Sequence, residues 1–383
     1  MSKGLSALRQ VLFLVSVPIF FVSFAIPVQA KQLGASAVEI GALFSLFTIS
    51  LIVLRPLVGS ALDRFGRKPF VVVSMAVYCM ANMFFAFAED VNAMYVARLL
   101  QGIGASLLLI GVDTITADLT AEHERAVAMG KNIEMQTRAT FVGAMIGFWL
   151  LGAMPIVAWK YTFGLYALMA FCAFFVAFFR LPETKSGKQQ EHSGPFKIVP
   201  ALRRLLLIVF LSGFANALIQ PLYLIYLQDK FALPTSMLVW AFLPSGIIFA
   251  ILPSKLGQLS SLFGNIRVMV VSLSIPGLLY LFLVHLDLFV SFVVFYTIAT
   301  VAWAAFDPAR KSLAAEFSAE RTRGRVFGVV ELYYGIGASM GPIVGGYIYD
   351  TGGAALAFYG NGALLLATTL LASIILVPAE SQK

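Results

Sequence analysis

The sequence predicts an all-α membrane protein whose twelve transmembrane helices form two pseudo-symmetric bundles of six. The prediction rests on composition, on the lengths of the apolar runs and on an internal repeat. Of the 383 residues, 60% are hydrophobic and 12% are charged, whereas soluble domains average about 45–50% and about 25%. A soluble fold could not bury this much apolar surface, so the excess must face lipid.

Twelve apolar runs approach the roughly 20 residues that a helix needs to cross the hydrocarbon layer. They are continuously apolar and lack the alternation of barrel strands, which favours helices. The first run follows Lys3 and Arg9 in the manner of a signal peptide, but its length predicts a retained helix. The predicted spans are 8–30, 37–59, 69–88, 92–116, 128–150, 159–180, 203–227, 235–256, 267–285, 288–310, 326–349 and 354–377.

The basic residues predict the topology. With the N-terminus placed inside, 21 of the 27 Lys and Arg residues fall in inner segments, and only Lys31, Lys160 and Lys230 fall in outer loops. The positive-inside rule then places both termini in the cytoplasm of a multi-pass protein of the inner (plasma) membrane. The net charge of +8 is spread in short bursts, so no nucleic-acid partner is expected. The two cysteines and three histidines are scattered, so neither a metal site nor a cofactor is expected.

An internal sequence repeat supports a division of the chain into two halves. The polar stretch 182–202 separates six spans from six, which predicts an N-terminal bundle over 1–181, a cytoplasmic linker over 182–202 and a C-terminal bundle over 203–383. At a constant offset of 198 residues, Phe65-Gly66 matches Phe263-Gly264, and the segment 117–122 matches 315–320. One offset at separated places indicates that the second bundle repeats the first.

A ten-residue segment after the second span, 59–68, carries the strongest motif. Gly59 allows two helices to approach closely, and Gly66 allows a tight turn. The charged side chains can pair with neighbouring helix ends. The segment resembles the G-x-x-x-D-[RK]-x-G-[RK]-[RK] signature of the major facilitator superfamily, and its second copy at 257–265 lacks the acid and the basic pair. We expect a cytoplasmic gate formed by Gly59, Asp63, Arg64, Gly66, Arg67 and Lys68, with Asp118 at the end of span four as the acidic partner.

Two further patterns resemble elements of the same family. In span four, Arg98 begins an R-x-x-Q-G-x-G pattern, in which the family's arginine is associated with proton coupling; the alternative is an arginine that extends to the membrane surface. Glycines in spans five and eleven resemble a small-residue element of the family's antiporters, or serve ordinary helix packing. The residues concerned are Gly143, Gly147, Gly341, Pro342, Gly345 and Gly346.

Other polar groups within the spans are candidates for the transport cavity. Arg55, Asp113, Glu134 and Arg138 lie at similar depth in spans two, four and five, where they could form either a structural charge network or part of a proton pathway. The expected proton carrier is one of Asp113, Glu134 and Asp307. Asn216, Gln220 and Trp303 are possible substrate contacts.

The resemblance covers essentially the whole chain, and it is strongest to the twelve-span drug:proton antiporter branch. It implies a secondary transporter that works by alternating access. The expected activity is proton-coupled export of a small, lipophilic or amphipathic molecule by a monomer in the lipid bilayer. No G-x-x-x-x-G-K-[ST] motif is present to bind ATP. The alternatives are an uptake symporter or facilitator of the same fold and, in a different class, a polytopic membrane enzyme or sensor.

Overall fold

The regular secondary structure of the chain is helical throughout the residues that the computed structural model describes. These are 3–121, 125–153, 158–184, 198–232, 240–245, 247–248, 253–318 and 323–376. The helices are α1 (Lys3–Ser16), α2 (Ile19–Gln32), α3 (Ala37–Phe65), α4 (Lys68–Ala86), α5 (Val91–Asp118), α6 (Arg125–Ala153), α7 (Ala158–Arg180), α8 (Pro200–Ile219), α9 (Leu222–Phe231), α10 (Pro253–Phe263), α11 (Asn265–Leu283), α12 (Phe289–Glu316) and α13 (Arg323–Ile375).

Nine helical segments within the described residues are long and apolar enough to cross a membrane, against twelve predicted spans. Two of the predicted spans, 326–349 and 354–377, lie in α13, where Gly353 interrupts the helical conformation. Span five corresponds to α6, whose first half carries Lys131, Glu134 and Arg138 and is therefore less apolar. Span 235–256 lies largely outside the described residues. The all-helical membrane architecture is thus established, and the count of twelve stays a prediction.

The chain forms two compact units. The first comprises Met1–Ala35 and Leu46–Gln190, and the second comprises Ser36–Ser45 and Glu191–Lys383. Residues 36–45, the first turns of α3, thus group with the C-terminal part of the chain, which the predicted boundary at residue 181 does not anticipate. Most of the predicted linker 182–202 lies outside the described residues.

A buried cluster in the first unit aligns the helix ends that carry the signature segment. Leu12 of α1, Met75 of α4, Ile115 of α5 and Ala177 of α7 all belong to it, and Leu181 closes it after α7. Each of these side chains is at most 2% exposed. Because apolar packing fixes the four helices against one another, the start of α4 and the ends of α5 and α7 lie side by side.

The turns before α4 and α11 show the repeat in the backbone. Gly66 has φ +95° and Gly264, which is 198 residues later, has φ +85°. A residue with a side chain rarely adopts such a φ value, so glycine is required at both turns. The two halves therefore share a turn conformation as well as a sequence pattern.

Candidate functional site

The first part of the candidate site is the signature cluster, which we define as Arg67, Lys68, Asp118, Glu183 and Thr184. The backbone N–H groups of Arg67 and Lys68 donate to the Glu183 carboxylate at 2.9 and 3.3 Å. The carboxylate approaches Gly66 so closely that a Cβ atom there would overlap it. Glu183 therefore binds the exposed N–H groups at the start of α4, where the helix dipole also favours a negative charge.

Asp118 joins this cluster from the end of α5. Its Oδ2 atom lies 3.4 Å from Nε of Arg67, whose side chain is 8% exposed. The same carboxylate oxygen accepts a hydrogen bond from the Thr184 hydroxyl at 2.8 Å. The expected contact between Asp118 and the basic pair is thus present, while its role in gating stays a prediction.

The other basic residues of the signature make different contacts. The Arg64 guanidinium lies 5.2 Å from the Phe65 ring centroid, and Nζ of Lys68 lies 5.8 Å from that of Phe178. The surroundings of Gly59 and the side chain of Asp63 lie outside the described part of the structure.

The second unit repeats the Asp118 contact with an uncharged donor. Nδ2 of Asn265 donates to Oε1 of Glu316, and these two residues stand 198 positions after Arg67 and Asp118. Both halves therefore make this contact, and in the first half it is an ion pair.

Arg98 is buried in α5. Its side chain donates from Nη1 to Oε1 of Gln101 at 2.7 Å and lies 5.4 Å from the centroid of the Phe47 ring. Only 4% of Arg98 is exposed, so it does not extend to the membrane surface. Gly102, one turn further, faces the Phe47 carbonyl and Ser50 of α3, where a Cβ atom would overlap them. The R-x-x-Q-G-x-G pattern thus forms a tight contact between α3 and α5.

The predicted charge layer of the first unit separates into two pairs. Glu134 and Arg138 form an ion pair along α6, and both side chains are more than half exposed. Asp113 is exposed and interacts electrostatically with Arg55. Both carboxylates thus lie at the surface of the first compact unit.

A cavity of about 330 Å³ in the second unit brings together four of the predicted site residues: Asn216, Gln220, Trp303 and Asp307. This volume lies within the range of small-molecule sites, which begins at about 300 Å³. The remaining walls are largely aromatic, and they are formed by Tyr223, Tyr280, Tyr296, Thr300, Phe306, Arg310 and Tyr334. The cavity therefore combines apolar ring surfaces with a few polar groups.

One wall of this cavity contains Asp307 and Arg310. Together with Lys311 and Glu331 they form a charge cluster, which we call the Arg310 cluster. Arg310 donates to Asp307 from Nε at 2.8 Å and from Nη2 at 2.6 Å, and Nη2 also reaches Glu331 at 2.9 Å. Nζ of Lys311 donates to the other Asp307 oxygen at 2.6 Å. Arg310 ends the predicted span 288–310 and counts among the inner basic residues, so sequence reasoning did not place it in the site. The spacing of Asp307 to Arg310 and Lys311 is nevertheless that of neighbours on a helix face.

An aromatic ring supports the cluster from α13. The Arg310 guanidinium lies 4.5 Å from the centroid of the Tyr334 ring, and the Tyr334 hydroxyl accepts a hydrogen bond from Asn216 at 2.8 Å. Asn216 therefore holds the ring on which the cation rests.

The predicted small residues lie at close helix contacts. A Cβ atom at Gly341 or Gly345 would overlap the backbone of Phe214 or Leu218 in α8. In the first unit, Gly143 faces the Val17 carbonyl and Gly147 faces the Phe21 ring. On the other side of α13, Gly346 faces the Ala37 carbonyl and the Pro342 carbonyl faces Gly41.

One more contact was not anticipated from the sequence. The Asp350 carboxylate accepts the backbone N–H groups of Ala37 at 3.0 Å and of Val38 at 2.9 Å. Asp350 thus caps the N-terminus of α3 within the second unit.

Comparison with known proteins places this arrangement in a family. The chain is 25% identical over 333 residues to multidrug resistance protein 1 of Bacillus subtilis, covering 85% of this chain and 84% of the relative. It is 23% identical over 364 residues to the quinolone resistance protein NorA of Staphylococcus aureus, covering 91% of each. Among solved structures, the nucleoside transporter NupG matches with a TM-score of 0.79 and 14% identity, over 99% of this chain and 100% of that one. A bacterial homologue of the lysosomal transporter Spinster matches with a TM-score of 0.75 and 16% identity, over 97% and 94%.

The family profile described as Major Facilitator Superfamily matches residues 11–304 and 205–383. The signature segment and the helical fold agree with that match. The chain is therefore a multi-pass membrane protein that transports small molecules, and it belongs to the Major Facilitator Superfamily.

Proposed function

We propose that this transporter exports a small lipophilic or amphipathic molecule in exchange for protons, that Asp307 carries the proton, and that both termini face the cytoplasm. The observation that carries the proposal is a carboxylate in the wall of an aromatic cavity, bound to two cations. The relatives named for multidrug and quinolone resistance support export of this substrate class. The family's relatives are transporters, so we infer no enzymatic activity.

The Arg310 cluster gives a physical basis for proton coupling. Asp307 shares its two oxygens between Arg310 and Lys311, so protonation would remove the charge that holds both cations. Arg310 would then keep Glu331 as its charged partner within the cluster. A proton on Asp307 thus changes the charge and the shape of the cavity wall, which is the kind of differential interaction that coupling requires.

The other candidate carboxylates are less well placed. Glu134 pairs with Arg138 at the surface of α6, and Asp113 is exposed. Asp307 alone among the three predicted carriers lines the described cavity. Arg98 is buried against α3 in the first unit, where we propose that it supports the proton pathway by fixing the contact between α3 and α5.

We further propose that the signature cluster acts as the cytoplasmic gate. A static ion pair at a partly hydrated helix end contributes only about 0–1 kcal/mol. Its role would lie in being made in one conformational state and broken in another, because only such a difference shifts a conformational equilibrium.

The test is substrate flux in proteoliposomes with imposed pH gradients, across a panel of lipophilic and amphipathic compounds. A transported compound should leave the cytoplasmic side faster when protons flow the other way. Asp307→Asn should make the flux independent of the gradient, while Asp287→Asn, at a loop position that is 92% exposed, should leave the dependence intact. Asp113→Asn and Glu134→Gln are measured in parallel as competing carriers.

The outcomes separate the rival activities. If Asp307→Asn keeps the full pH dependence, Asp307 is not the carrier. If substrate addition makes the outside more alkaline, the protein is an uptake symporter. If an uncoupler leaves substrate accumulation unchanged for every compound of the panel, the proposal of proton antiport is wrong and a facilitator is the better interpretation.

A further inference from the structure

One nitrogen of the Arg310 guanidinium makes no hydrogen bond to the other residues of the Arg310 cluster. Nε and Nη2 of Arg310 bind the carboxylates of Asp307 and Glu331, whereas Nη1 is buried and has no hydrogen-bond partner among the described residues. Arg310 is only 4% exposed and lines the cavity. A buried guanidinium N–H without an acceptor is costly, so an acceptor brought by a ligand would be bound favourably.

The charges of the cluster indicate what kind of acceptor fits. Arg310 and Lys311 balance Asp307 and Glu331, and every one of the four makes an ion pair within the cluster. A charged ligand would therefore add an uncompensated charge beside Arg310, whose side chain is 5% exposed, and this is unfavourable. A neutral carbonyl oxygen can accept from Nη1 without disturbing this balance.

The aromatic side chains of the cavity indicate the rest of the ligand. Trp303 and Phe306 contact each other edge to face with centroids 5.3 Å apart, and Tyr223 and Tyr296 do so at 4.8 Å. These rings line the same cavity as Arg310. Aromatic walls favour a flat apolar body, which packs against ring faces and edges.

We propose that this cavity binds an uncharged, flat molecule carrying a carbonyl-type oxygen, and that Nη1 of Arg310 donates to that oxygen. The proposal rests on the proposed transport function only in taking the cavity as the substrate site. It narrows the proposed substrate class from lipophilic or amphipathic molecules in general to neutral molecules that carry an acceptor oxygen.

The experiment measures equilibrium binding to the full-length protein in lipid nanodiscs, without any gradient, corrected for binding to empty nanodiscs. The probes share one ring system: acetylnaphthalene has a neutral carbonyl, ethylnaphthalene has no acceptor, naphthoate is an anion and naphthylmethylamine is a cation. Acetylnaphthalene should bind at least about tenfold more tightly than each of the other three, a factor that corresponds to about 1.4 kcal/mol. This comparison on the unmodified protein requires no variant to fold.

Arg310→Lys tests the assignment to Nη1, because it keeps a positive charge for the two carboxylates but replaces the three guanidinium nitrogens by one ammonium nitrogen. The tenfold preference for acetylnaphthalene over ethylnaphthalene should disappear in this variant. Arg267→Lys is the matched control: Arg267 is exposed on α11 and does not line the cavity, so the preference should persist.

Three results would overturn the proposal. They are no measurable binding of acetylnaphthalene, equal binding of the four probes, and tighter binding of the anion or the cation. A preference that survives Arg310→Lys would also contradict the role of Nη1. Because no proton gradient is applied, these failures are distinct from a failure of the flux assay, which can still show proton-coupled export of another compound.

Discussion

Removing the Glu183 side chain should destabilise the start of α4. Glu183 binds the backbone N–H groups of Arg67 and Lys68 through both carboxylate oxygens, which is the role of a helix cap supplied from 115 residues further along the chain. Losing such a cap costs about 0.5–2 kcal/mol. Because Glu183 is exposed, we expect a loss of about 1 kcal/mol in Glu183→Ala. At about 1.4 kcal/mol per tenfold change, this corresponds to about fivefold faster opening of these amides.

Hydrogen–deuterium exchange of the protein in nanodiscs measures this effect. Peptides that cover 66–72 should exchange about fivefold faster in Glu183→Ala, and Glu183→Gln should lie between that variant and the unmodified protein because it keeps one acceptor oxygen. Asp90→Ala is the control, since Asp90 caps α5 by accepting from the Ala93 N–H at 2.7 Å. It should speed exchange in the first turn of α5 alone. If Glu183→Ala leaves exchange at 66–72 unchanged, the cap does not stabilise α4 and the reasoning is wrong.

Two more predictions follow from the helix-end contacts. Asp118→Asn should slow transport while substrate affinity changes by less than about fivefold, because the ion pair with Arg67 contributes at most about 1 kcal/mol statically; unchanged turnover in the flux assay would count against the gate. Asp350→Ala should speed amide exchange at Ala37 and Val38 about fivefold, for a loss of about 1 kcal/mol. Unchanged exchange at those two amides in Asp350→Ala would show that this cap contributes nothing.

Local sequence patterns were enough to predict the features that depend on nearby residues. The apolar runs predicted the membrane helices because burial in lipid requires them. The Phe-Gly pair of the repeat predicted two equivalent turns, and Gly66 and Gly264 have matching positive φ values. Asp118 was predicted as a partner for the basic pair because it lies at the cytoplasmic end of span four and matches Glu316 in the repeat, and its contact with Arg67 is present.

Contacts between distant positions could not be predicted in the same way. Glu183 was not predicted as a site residue, because no local pattern shows that the end of α7 lies beside the start of α4. Asp350 lies 313 residues from Ala37. Arg310 is the last residue of the predicted span 288–310, and it was counted with the cytoplasmic basic residues because apolar runs do not fix where a span ends. For Glu183 and Asp350 the missing information was the packing of helices, which a single sequence does not encode locally.

The repeat explains why the two halves can have the same backbone and different electrostatics. The turn glycines and the helix-end contact recur at one offset, so the fold requires both in each half. The fold does not require the charge on the basic side, since Asn265 makes with Glu316 the contact that Arg67 makes with Asp118. Salt weakens an ion pair more than a hydrogen bond from a neutral amide, and the effect is moderate here because the Arg67 and Asp118 side chains are 8% and 23% exposed. The two helix ends therefore differ in charge and not in backbone. Raising the ionic strength on the cytoplasmic side should weaken the contact between Arg67 and Asp118 more than the contact between Asn265 and Glu316.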